Sequence, residues 1–174
     1  VTRVRVVLPS GATDGDLQRA GFLNLALFDL NEGGPVRVAP LALVHDGRRD
    51  LSYAYRAALA HTPGLKLKPE RMLERQGAAL TMGGSTAGLF DASLLATRVA
   101  YSGTVDAGTF PKVPFGLVHD GKFVREKVKG RLVLVAGPST EARGLRQTPF
   151  GYQGELEIQA NHAAGILEDQ LLQI

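Results

Sequence analysis

Residues 130 to 172 constrain this chain more than any other stretch. Leu132 to Ala136 is apolar on both faces, which reads as a central strand of a sheet. A loop of glycine and small residues follows, Ala136 to Gly144, then an irregular stretch around Gln147-Thr148-Pro149-Phe150. Glu155 to Gln159 reads as a second strand. An amphipathic helix then starts at Asn161, whose side chain is placed to accept from an otherwise orphan backbone N–H. Its apolar face is Ala163, Ile166, Leu167 and Leu171, and its polar face is Glu168, Asp169 and Gln170. His162 follows Asn161 at the positive end of that helix.

The upstream half repeats the same mixture of elements. Thr2 to Leu8 alternates as a short strand and is broken by Pro9-Ser10-Gly11. Gly21 to Phe28 and Val36 to Val44 are apolar runs on either side of an Asn/Gly-rich loop, which predicts a β-hairpin. Asp46-Gly47 turns the chain. Asp50 or Ser52 caps a helix whose apolar face is Leu51, Ala54, Tyr55, Ala58 and Leu59, and Thr62-Pro63-Gly64 stops it. Leu65 to Glu74 reads as polar and irregular, Ala78 to Met82 as a strand, and Gly83 to Gly88 as a loop. Arg98 to Tyr101 reads as a short strand and Phe115 to His119 as a short helix. Interspersed helices and strands predict a mixed α/β domain with a central mixed β-sheet and flanking helices. Without internal repeat or low-complexity linker, residues 1 to 174 form a single domain.

Composition narrows the chemistry. Twenty Lys and Arg against 17 Asp and Glu leave a formal charge of only +3, scattered apart from short clusters at Lys66 to Lys68 and Arg125 to Arg131. A nucleic-acid partner calls for a basic stripe with interleaved aromatics, and none is expected. The absence of cysteine excludes disulfides, thiolate nucleophiles and cysteine metal sites. The four histidines, at 45, 61, 119 and 162, form no HxH or HxxxH pair, so neither zinc nor any cofactor is expected. No stretch approaches the ~18 apolar residues of a membrane helix. Beginning on Val1, the chain reads as a piece of a longer protein.

Candidate sites are few. The loop after Leu132 to Ala136 carries Gly137, Ser139, Thr140 and Gly144. Such a loop can turn backbone N–H groups toward a phosphate or carboxylate, or can simply turn the chain. It has Glu141 and Arg143 where a Walker loop needs its own residues, so nucleotide binding lacks a motif. Ser85 and Ser139 lie outside any GxSxG elbow, and Asp91, Asp106 and Asp120 are single loop acids without a paired carboxylate. The ligand-contact candidates are Gly137, Ser139, Thr140 and Asn161.

Several of these strings together resemble the CHASE2 family, an extracytoplasmic sensor domain of bacterial signalling proteins. The resemblance is carried by Lys129-Gly130, Val133 to Gly137, Thr148-Pro149 and Gly154 to Asn161. Upstream it is carried by Gly21-Phe22-Leu23-Asn24, Asp29, Gly33-Gly34, Arg37, Pro40-Leu41, Arg98 to Ser102-Gly103, and Thr109-Phe110-Pro111. Two positions depart: Glu32-Gly33-Gly34-Pro35 replaces an aspartate-glycine turn, and Gln159 stands where the family usually has histidine. The family also opens with a strand, a tryptophan-proline segment and a helix. This chain has no tryptophan and is expected to lack that segment. The resemblance implies a non-enzymatic module that senses a small-molecule ligand in the periplasm or at the cell surface. It implies flanking transmembrane helices in the full-length protein, a cytoplasmic cyclase, kinase or diguanylate cyclase output, and a possible homodimer. The alternative is a small cytosolic α/β enzyme that binds an anionic substrate on the Gly137 to Gly144 loop.

Overall fold

The computed structural model describes residues 34–45, 48–67, 72–76, 93–102, 110–135 and 145–168. Four strands form one sheet: β1 (Val38–His45), β2 (Arg48–Leu51), β3 (Leu73–Gln76) and β4 (Ser93–Arg98). Their order is β2-β1-β4-β3, and every described pairing is antiparallel. The pairing of His45 with Arg48 leaves two residues between β1 and β2, as the Asp46-Gly47 signal requires. Pro40 sits in β1, an interior strand, where a missing N–H would break the ladder. The register with β4 slips between Pro40 and Ala42, so a bulge accommodates the proline.

Helix α1 (Tyr53–His61) follows β2 directly. Ser52 caps it, accepting from the Tyr55 N–H at 3.3 Å. Thr62 ends it, and Gly64 takes a φ of 84°, the left-handed turn that glycine permits. The apolar spacing predicted this helix, and Ala54 and Ala58 are fully buried on its inner face. A short helix α2 (Phe115–His119) and one 3-10 turn (Arg125–Lys127) come next. A tight hairpin, β5 (Arg146–Thr148) and β6 (Gly151–Gln153), turns at Thr148-Pro149. Thr148 Oγ1 donates to the Gly151 carbonyl at 2.7 Å and accepts from the Phe150 N–H at 3.2 Å. The Val36 N–H donates to the Gln147 carbonyl at 2.8 Å, tying the hairpin to the approach of β1.

The last described helix, α3 (Glu155–Leu167), packs on α1. Two apolar clusters hold it to the sheet side. Ile158 meets Val36, Ala39 and Val99, while Ile166 meets Leu41 and Ala58. Each side chain so buried contributes about 2 kcal/mol.

The mixed α/β class holds, but five local expectations do not. Glu155 to Gln159 is helix rather than strand, and Asn161 lies in the middle of α3 rather than at its cap. Gly154 takes the N-cap place, and its N–H reaches Glu157 Oε2 at 3.4 Å. Residues 132 to 135 pair with no strand among the described residues. Val133 and Val135 are exposed while Leu132 and Leu134 are half-buried, so one side lies on the protein and the other in water. The strand placed at Arg98 to Tyr101 runs instead from Ser93 to Arg98, and Leu73–Gln76, within and just beyond a stretch read as irregular, is a strand. The readings at Thr2 to Leu8, Gly21 to Phe28, Ala78 to Met82 and Gly83 to Gly88 lie outside the described residues.

Candidate functional site

The polar groups of the interior gather on α3. Its buried residues include Gln159, Asn161 and His162, alongside Ile158, Ala163 and Ile166. A helix face normally buries apolar residues, so three polar side chains there require partners. His162 is fully buried, and its Nε2 lies 2.8 Å from Thr97 Oγ1, itself fully buried on β4. The other ring nitrogen, Nδ1, finds no hydrogen-bond partner. Burial pushes the imidazole pKa down to about 4. The ring is therefore neutral at physiological pH, and a group held so far below neutrality is a poor general base.

Asn161 joins α3 to the strand end. Its Oδ1 accepts from the Ser102 N–H at 3.0 Å, and its Nδ2 donates to the Glu157 carbonyl at 2.9 Å. Tyr101, next to Ser102, donates its hydroxyl to the Val36 carbonyl at 2.9 Å and tilts its ring against Phe150 at 6.0 Å. Burial raises the Tyr101 pKa well above the ordinary phenol range, which keeps that donor protonated. The segment after β4, the approach to β1, the β5–β6 hairpin and α3 thus meet in one network.

Gln159 is buried, and neither its Oε1 nor its Nε2 has a hydrogen-bond partner. Two orphaned amide atoms and the free His162 Nδ1 lie one helical turn apart on the same helix. An arrangement of this kind can seat or release hydrogen bonds. It does not supply a nucleophile with a base, and the described residues contain no group of three metal-ligating side chains.

Asn161 is the one ligand candidate among the described residues, and its amide serves the protein's own backbone at both ends. Gly137, Ser139 and Thr140 lie outside the described residues, as do Ser85, Asp91 and Asp106. Asp120 is exposed beside His119 and Lys122. The placement of His162 at a helix start is corrected to the third turn of α3, inside the core. Sequence reasoning missed Thr97, because a threonine in a strand is equally at home in solvent. It noticed Gln159 only as a departure from the family pattern.

At the start of α3, Glu157 Oε1 pairs with Lys112 Nζ at 2.8 Å. Burial raises the Glu155 pKa, and Arg146 partly offsets it. No helix among the described residues is long and apolar enough to cross a membrane. No curated protein and no solved structure matches the chain. A family model described as the CHASE2 domain matches residues 3–174, and the chain accordingly belongs to the CHASE2 family of extracytoplasmic sensor domains found in signalling proteins.

Proposed function

We propose that this domain senses a small-molecule ligand as the periplasmic or surface part of a membrane-anchored bacterial protein, with a cyclase, kinase or diguanylate cyclase output in the cytoplasm. The family match over residues 3–174 carries this reading. The position of α3 gives it a mechanism. The helix joins both apolar clusters and the Asn161–Ser102 bond, so anything that shifts the helix changes all three. Gly137, Ser139, Thr140 and Asn161 are the proposed ligand contacts. A ligand that reached Asn161 would compete with Ser102 for Oδ1, and that competition would bias the helix between two seats.

A topology assay tests the proposal. Alkaline phosphatase, which is active only after export, is fused within the full-length protein just after residue 174. Activity of the fusion, together with apolar stretches of about 20 residues flanking the domain in the full-length sequence, supports the reading. An inactive phosphatase fusion, with β-galactosidase active when fused at the same position, overturns it.

A further inference from the structure

Residues 110–135 stand apart from the rest of the described chain. They carry six Lys and Arg against two Asp and Glu, a net +4, whereas the whole chain is only +3. The remainder is therefore net −1, and the positive charge of the domain is concentrated in one surface lobe. None of its residues is buried. Phe115 is 68% exposed, and Leu117, Val118, Val124, Val133 and Val135 are exposed as well. Arg125, Lys127, Lys129 and Arg131 alternate along the same segment and are all exposed.

The lobe satisfies much of its own backbone. The Lys122 N–H donates to the Leu117 carbonyl at 2.8 Å and the Asp120 N–H to the Gly116 carbonyl at 2.9 Å. The Lys129 N–H donates to the Arg125 carbonyl at 2.9 Å. Gly121 and Gly130, both at positive φ, close these two turns. Internally bonded turns can enter an interfacial layer without stranding polar groups. The lobe is tied to the core at its start, where Lys112 pairs with Glu157 of α3 at 2.8 Å.

We infer that the lobe of residues 113–134 docks on an anionic lipid surface, its exposed apolar side chains entering the headgroup layer and its Lys and Arg meeting the lipid phosphates. The charge selects this occupant over a second copy of the chain, because a symmetric contact would set one +3 patch against another. The inference rests on the proposed membrane-anchored placement, which keeps a bilayer within reach.

Vesicle co-sedimentation of the whole chain tests it. The vesicles are phosphatidylcholine alone, or about three parts phosphatidylcholine to one of phosphatidylglycerol. The chain should bind the second and not the first, less strongly as salt is raised. Each basic residue at such a surface is worth about fivefold in partitioning, so Lys127→Gln with Lys129→Gln should weaken binding about 25-fold. Phe115→Ser with Val124→Ser should weaken it further at high salt, where the apolar contacts remain. All four side chains are exposed, so an unchanged circular dichroism spectrum should accompany both variants. Equal binding to the two vesicles, or variants that bind like the parent, would overturn the inference. So would polyglutamate binding that survives Phe115→Ser with Val124→Ser, which points to an acidic protein, or a lobe-dependent dimer without lipid. The fusion assay is independent of this one: failed vesicle binding with an exported fusion removes the lobe's role and leaves the sensor reading in place.

Discussion

His162 makes the stability of this domain depend on pH in a defined window. Its ring is fully buried against Thr97, and its second nitrogen has no partner. Protonation would place a charge in the core with one N–H⁺ facing Thr97 Oγ1 and the other facing nothing. The pKa accordingly falls from 6.5 to about 4 on folding. The unfolded chain binds the proton more readily, so the stabilisation is fully present above about pH 6.5 and is lost as pH falls toward 4. Because the ring is fully buried, solvent screening does not reduce the effect. The total is about 3 kcal/mol, of which about 2.5 is gone by about pH 4.5. Glu155 acts in the opposite direction, since burial raises its pKa and acid therefore favours its folded form.

The comparison that isolates His162 is His162→Gln against the parent, both unfolded in urea at several pH values and followed by circular dichroism. Gln keeps a polar atom near Thr97 but does not titrate. Glu155 is present in both chains and cancels. At about pH 7.5 the variant should be less stable, from lost ring packing, by about 1–3 kcal/mol. That gap should shrink by about 2.5 kcal/mol on going to about pH 4.5. If the two chains instead lose stability in parallel over this range, the ring is not held neutral by burial.

Three further outcomes are expected from the same urea assay. Ile166→Asp should unfold the domain or cost more than about 4 kcal/mol, because Ile166 is 1% exposed and the new carboxylate would be buried without a partner, whereas Glu168→Ala at the exposed helix end should stay within about 0.5 kcal/mol. Ser52→Ala should cost about 1 kcal/mol by removing the α1 cap, and Ser52→Asp should recover part of it. Asn161→Leu should cost about 1–3 kcal/mol by leaving the Ser102 N–H unbonded, and Asn161→Asp should cost less because it keeps that acceptor.

Local signals in the sequence sufficed where local chemistry decides the structure. A cap at Asp50 or Ser52, the i, i+3, i+4 spacing from Leu51 to Leu59 and the Thr62-Pro63-Gly64 stop place α1, and the structure picks Ser52 as the cap. Val36 to Val44 places most of β1, whereas the stretch around Gln147 to Phe150, read as irregular, holds the β5–β6 hairpin. The errors fall where tertiary context decides. Leu132 to Ala136 has the composition of a central strand, yet residues 132 to 135 lie on the surface without a sheet partner among the described residues. Strand preference measures fit to a sheet that must already exist. Glu155 to Gln159 alternates acid and apolar residues with a period of two, and Gly154 offers no side-chain cap. Nothing local announced that α3 begins there.

The site was legible only in part because its polar residues occupy positions where helical periodicity expects apolar ones. Ile158, His162 and Ile166 are spaced four apart and form one row along α3. The outer two enter separate apolar clusters, and the middle one meets Thr97. That alternation fixes the register of the helix. A slip of one turn, about 5.4 Å, would carry His162 into the cluster of Val36, Ala39 and Val99 or into that of Leu41 and Ala58. It would also set an isoleucine against the Thr97 hydroxyl. Each misplacement leaves a buried polar group without a partner, at about 1–3 kcal/mol apiece. A row of three isoleucines would lack this penalty and would tolerate slippage. The polar layer therefore gives α3 one preferred seat, and a signal that moves the helix must supply new partners for His162 and Thr97 in the second seat.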